Sequence, residues 1–171
     1  SNDDHTPRSF RVRNSLLDAA GLEVASSLSE PADLEPGQGQ RMMTRMIVMQ
    51  PALWTPETPF LYTVRTELVS ENGSIIDSRE TRTGIRSVRM TPDQGLLING
   101  EQVRITGVTR HQEYPYIGFA LSDNASYRDA VKIREAGFNL VRCPHYPPAP
   151  AFLDACDELG LMVINSLPDR D

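Results

Sequence analysis

Hydrophobic and polar positions alternate through the first half of the chain. Residues 61–69 set Leu61, Thr63, Arg65 and Glu67 against Tyr62, Val64, Thr66 and Leu68, a mostly period-two pattern with one buried face. Shorter stretches at 10–13, 22–24 and 42–49 and a longer one at 75–85 carry the same rhythm. Between them stand turn signals: Asp18-Ala19-Ala20-Gly21, and Glu71-Asn72-Gly73-Ser74 with the Asn-Gly pair typical of hairpins. Residues 30–39, with Pro31, Pro36 and two glycines, read as a loop. Short strands, turn residues and no helical period predict an antiparallel β-sandwich.

The rhythm changes near residue 87. Residues 88–90 and 96–98 flank a turn at 91–95, and Asn99-Gly100 makes a second tight turn into a strand at 103–108. Strand and helix then alternate. Ser126-Tyr127-Arg128-Asp129 matches a capping box that opens a helix carrying Tyr127, Ala130, Val131 and Ile133, and Gly137 ends it. Residues 139–142 form a strand. Pro150 opens a second helix with Phe152, Leu153, Cys156 and Leu159 at three- and four-residue spacing, and Gly160 closes it. Residues 161–164 are an unbroken apolar strand of the kind buried in parallel sheets. Such alternation means βαβ units. Three strands close no barrel, so the chain is expected to stop inside a domain. The division expected is 1–86 for the sandwich and 87–171 for the β/α part.

Composition narrows the function. A net charge of −6 over 171 residues argues against a nucleic-acid partner, because phosphate binding needs a surplus of Lys and Arg on one face. No apolar run reaches the roughly 20 residues that span a bilayer, so no membrane partner is expected. The first ten residues are polar and contain no signal-peptide core. Cys143 and Cys156 make neither a disulfide framework nor a zinc site, and read as buried thiols. The sequons at Asn72 and Asn124 are of a kind that arises often by chance.

Five segments together resemble family 2 of the glycoside hydrolases, which holds β-galactosidases, β-glucuronidases and β-mannosidases. They are PALWTPETPFLY at 51–62, Gly84-Ile85-Arg86, LINGEQVRITGVTRH at 97–111, NLVRCPHYP at 139–147 and CDELGLMV at 156–163. Each alone is weak, but their order and spacing match the family's. The resemblance implies a multidomain β plus α/β chain: an immunoglobulin-like β-sandwich without its opening strand, then the first three strands of a (β/α)8 TIM barrel. It implies a retaining β-glycosidase acting on β-galactoside-like sugars. In that family both catalytic glutamates stand on later barrel strands, so this chain is expected to be inactive alone. Glu101, Glu113, Glu135 and Glu158 match neither motif. Bare strand edges are expected to make the piece self-associate.

Candidate sugar contacts follow from the barrel reading. The carboxyl ends of barrel strands form the active-site rim. His111 follows the first barrel strand, and Arg142 with His145 end the second. Imidazole and guanidinium groups there can hydrogen-bond sugar hydroxyls, and the resemblance implies that role for all three. The simpler alternative is that Arg142 and His145 only fix the loop from Pro144 to Pro150, and for Arg142 both roles stay open. Trp54, bracketed by Pro51, Pro56 and Pro59, reads as a core or interdomain anchor. Thr109 and Gln112 depart from the family's usual Asn and Glu. Asn165-Ser166 replaces an acidic pair, and Arg170 lies near where some β-galactosidases place a magnesium-binding glutamate, so no metal and no cofactor is expected. A non-catalytic carbohydrate-binding or interaction module is the rival, but it needs exposed aromatics, and aromatics are 6% of the chain. A Cys143–His145 dyad is disfavoured by the intervening Pro144 and the lack of an orienting partner.

Overall fold

In the computed structural model, which describes residues 2–166, the alternating first half forms an antiparallel sheet. Its strands are β1 (Arg8–Leu17), β2 (Glu23–Leu28), β3 (Ala32–Leu34), β4 (Tyr62–Ser70) and β5 (Ile75–Thr83). The order is β2-β1-β4-β5, with β3 also paired to β1. Register places Phe10, Val12 and Leu16 opposite Ser70, Leu68 and Val64, so one face is mostly apolar. The other face is charged. Arg13 lies directly across from Glu67 at 2.8 Å, and Arg65 across from Glu80 at 2.9 Å. The turns follow their residues: Asp18 Oδ1 accepts from the backbone N–H groups of Ala20 and Leu22, and Gly73 takes a φ of 84° between β4 and β5.

Two expectations fail in this sheet. Residues 30–39 are not all loop, because Ala32–Leu34 pairs with the start of β1. Residues 42–49 form no strand. Their side chains still alternate, with Met42, Thr44, Met46 and Val48 half-buried and Met43, Arg45, Ile47 and Met49 exposed. An alternating segment needs only a face to lie on, whereas a strand also needs a neighbour for its backbone groups. Here the contact with the sheet runs through side chains: Asn14 Nδ2 donates to Thr44 Oγ1, and Thr66 Oγ1 donates to Asn14 Oδ1. Residues 42–49 thus meet the sheet at Asn14 without a ladder.

The second part contains β6 (Val88–Thr91), β7 (Gly95–Ile98), β8 (Glu101–Gln102), β9 (Gly107–Thr109), α1 (Asp123–Glu135), β10 (Leu140–Cys143), α2 (Pro150–Leu159) and β11 (Met162–Asn165). Strands β6, β7 and β8 make a small antiparallel sheet. Strands β9, β10 and β11 are parallel neighbours in chain order, with Val141 level with Val108 and Val163. The strand expected at 103–108 is broken in two. Val103 N continues the pairing with Leu96 O, while the Asn139 side chain accepts from Thr106 N and donates to Arg104 O. The Asn139 side chain there joins the backbone bonds that Asn139 N and Leu140 N donate to Thr106 O.

Helix α1 begins earlier than the capping-box pattern implies. Ser122 is its N-cap, with Oγ accepting from Ala125 N, and Ser126 is fully buried inside the helix. Asp129 cannot complete a capping box because its carboxylate is engaged by Arg110 and Tyr114. The second helix keeps its expected ends, with Pro150 in the first turn and Gly160 left-handed at the C-cap, φ 73°. Ala130, Val141, Cys143, Phe152, Ala155, Cys156 and Leu161 form the core between the helices and the parallel strands.

By compactness the chain divides into one unit up to Pro51 together with Leu61–Thr83, and another of Ala52–Phe60 with the chain from Gly84 onward. The Trp54 segment therefore belongs with the β/α part. Trp54 is fully buried, its indole N–H donates to Asp157 O at 2.9 Å, and the Arg86 guanidinium lies 4.3 Å over its ring. A methyl group at Gly84 would come within 2.8 Å of Trp54 Cβ. Arg134 donates to Pro56 O, and Gly160 lies so close to that carbonyl that only a residue without a side chain fits.

Candidate active-site rim

The alternation of β10 decides where its side chains go. Val141 and Cys143 are buried in the core shared with α1 and α2, so Arg142 between them lies on the opposite, helix-free face. Register puts Thr109 and Ile164 beside it on the neighbouring strands, and all three are exposed. In a closed barrel that face is the interior, which accounts for an exposed Ile164 at the middle of an apolar strand.

His111 lies two residues beyond β9, and His145 two residues beyond β10. Because the strands are parallel neighbours, both follow carboxyl ends at the same edge. Their rings meet with centroids 5.9 Å apart, tilted by 33°. Both histidines are exposed. His145 has a φ of 73°, a left-handed conformation costing roughly 1–3 kcal/mol in a non-glycine residue and persisting only where the surroundings impose it. Arg142 shares the sheet end, and its carbonyl accepts from Arg110 N at 2.9 Å.

Support comes from residues that the sequence did not single out for this. Arg110 is 8% exposed; its Nε and Nη2 both donate to Asp129 Oδ2, at 3.1 and 2.9 Å. Tyr114 OH donates to the other Asp129 oxygen, and the Arg110 guanidinium stacks 4.1 Å over the Phe152 ring. This ion pair ties the loop after β9 to α1. Gln112 and Tyr146, each next to one of the histidines, also meet: Gln112 N donates to Tyr146 OH at 2.9 Å. The only advance signal was adjacency, Arg110 and Gln112 flanking His111 and Tyr146 following His145. Partners 15 to 37 residues away leave no local pattern to read.

Other chemistry finds less support. Burial pushes the Cys143 thiol up from its usual range, and burial pushes the Cys156 thiol up to about 12. A nucleophilic thiol needs the opposite shift. Among the described residues, no group of three or more His, Cys, Asp or Glu could hold a metal ion. Arg170 lies outside the described residues. A cavity of about 1040 Å³ is lined by first-unit residues including Asn2, Val12, Met42 and Leu68, with Phe10 its one aromatic among the described residues. Among the described residues, no helix is long and apolar enough to cross a membrane.

Comparison with known proteins places this geometry. The profile described as "Glycosyl hydrolases family 2, TIM barrel domain" matches residues 88–168, and the one described as "Glycosyl hydrolases family 2" matches residues 1–86. A β-galactosidase of Thermoanaerobacter pseudethanolicus is 42% identical over 160 residues, which is 92% of this chain and 21% of that protein. A β-galactosidase of Bacteroides ovatus is 36% identical over 168 residues, 98% of this chain and 20% of that protein. The crystal structure of a Bacteroides uniformis β-glucuronidase superposes with a TM-score of 0.89 at 30% identity, covering 97% of this chain and 20% of that one. The chain thus spans about a fifth of the length of these relatives. With an immunoglobulin-like β-sandwich leading into the first strands of a TIM barrel, this chain belongs to glycoside hydrolase family 2.

Proposed function

We propose that this chain is part of a retaining β-glycosidase that cleaves β-galactoside-like sugars in carbohydrate catabolism, and that His111, His145 and Arg142 contact the sugar. The observation that supports it best is the meeting of His111 and His145, 5.9 Å apart, at the carboxyl ends of adjacent parallel strands. The two imidazoles can donate to or accept from ring hydroxyls, and the guanidinium can donate to them. Such contacts strengthen catalysis when they hold the sugar in its reactive position. We place the boundary between the two domains near residue 86.

The retaining mechanism needs two carboxylates about 5 Å apart, one as acid/base and one as nucleophile. Glu135 and Glu158 stand on α1 and α2, and the Glu158 carboxylate accepts from Tyr127 OH. Neither serves a sugar at the rim, and Glu101 and Glu113 match neither of the family's catalytic motifs, so the 171-residue chain alone is inactive in this reading. In the intact enzyme, His111→Ala and His145→Ala should each lower kcat/KM by about 100-fold or more while moving the melting temperature little, because the lost bonds are to substrate. Full activity in both variants would sink the assignment. Steady release of nitrophenol from an aryl β-galactoside by the 171-residue chain would show that its catalytic carboxylates lie within it.

A further inference from the structure

The loops after β9 and β10 each carry one histidine, and their closest ties run through the residues next in sequence. Gln112 N donates to Tyr146 OH at 2.9 Å, and Ala149 N donates to Gln112 Oε1 at 3.0 Å. Ala149 is the N-cap of α2 and has no side chain able to cap it; the helix has no acidic residue in its first turn. Gln112 therefore supplies, from another loop, the acceptor that a capping residue ordinarily offers to the N-cap N–H. Phe119, farther along the first loop, sets its ring edge-on to Tyr146 at 5.2 Å. His145, in its left-handed conformation, immediately precedes Tyr146, the first of the two tied residues of that loop. The Arg110–Asp129 pair does not do this work, since its side chains bind the first loop to α1 rather than to the second loop.

We propose that Gln112 is a positioning residue: its side-chain carbonyl and backbone N–H latch the β9 loop to the β10 loop and so set the spacing of His111 and His145. The required feature is an acceptor of the right length. A glutamate retains it, whereas a leucine of similar volume lacks it. The latch rests on the sugar-contact reading only for the purpose of the spacing, because the bonds themselves are independent of any ligand.

Nuclear magnetic resonance on the 171-residue chain, with no sugar present, tests it. The unaltered chain should show a cross-relaxation peak between the two rings. It should also show the strong intraresidue amide–Hα peak at His145 that marks positive φ. Q112L should lose both and exchange its Ala149 amide about tenfold faster, the worth of roughly one hydrogen bond. Q112E should keep both, and Y146F should weaken the ring–ring peak. A Q112L chain with both signatures intact overturns the proposal. Should Q112L not fold, the unaltered chain decides: rapid exchange at the Gln112 and Ala149 amides overturns the latch, and protection there with Q112E still showing both signatures upholds it. Failure of the sugar-contact reading would appear elsewhere, as full activity in the histidine variants of the intact enzyme.

Discussion

Glu67, at the centre of the sheet of β1–β5, is 4% exposed and charged, and Arg13 on the next strand answers it at 2.8 Å. At the same depth in the β/α unit stand Val141, Phe152 and Cys156, apolar and touching one another. The sheet of β1–β5 carries a charged face on which cross-strand pairs such as Arg13–Glu67 contribute to its stability. The second unit buries both helices against parallel strands, so it is held by a contiguous core. The difference teaches where chemistry can be placed. A rim of exposed His111, Arg142 and His145 needs rigid strands beneath it, and the continuous core of the second unit supplies them.

Trp54→Ala should have the largest effect, and should strike the second unit first. Removing a fully buried indole with its hydrogen bond to Asp157 O should destabilise the β/α unit by about 3–5 kcal/mol. Hydrogen exchange should then rise in β9, β10 and β11 before it rises in β1 and β4. Earlier loss of protection in β1 and β4 would place Trp54 with the wrong unit.

A smaller effect separates the units by pH. Burial holds the Cys156 thiol at about 12 in the folded chain, above its ordinary 9.0. A group with a raised folded pKa contributes stability fully below its unfolded pKa and loses it as pH rises through the folded value. Both cysteines lie in the second unit, so that unit should lose stability between about pH 9 and 12. Thermal melts read at the single Trp54 would follow it. Cys156→Ala should flatten the slope, so that its cost is largest below about pH 9 and shrinks toward pH 12; an unchanged slope would mean that the thiol does not govern it.

The smallest effect belongs to the charged face. Arg65 and Glu80 pair at 2.9 Å but are each well exposed, so Arg65→Ala should cost less than about 1 kcal/mol and fade in salt. A loss comparable with that of Trp54→Ala would show that the sheet depends on ion pairs far more than exposed pairs ordinarily allow.

The contrast also explains which features were legible. The helix ends at Pro150 and Gly160, the hairpin at Asn72-Gly73 and the strand of β4 are local events, decided within a few residues. Residues 42–49 misled because alternation reports a buried face and is silent about backbone partners. The start of α1 misled because Ser126 and Asp129 fit a capping pattern while tertiary contacts had recruited Asp129 for Arg110. At the rim, His111, Arg142 and His145 could be named as candidates from their places at strand ends together with the family resemblance, but Gln112 could not be given its partner.

By itself the sequence determined the kinds of elements and their order, and, through five short segments, the family. Those properties depend on side-chain period, turn residues and recurring motifs, all of which act over short stretches of chain. Only the tertiary structure decided that residues 52–60 join the second unit, through a bond spanning 103 positions from Trp54 to Asp157. It also decided that His111 and His145 stand ring to ring, and that Gln112 caps a helix 37 residues away. Such pairings are selected by which faces pack together, and that choice is made only when the whole core closes.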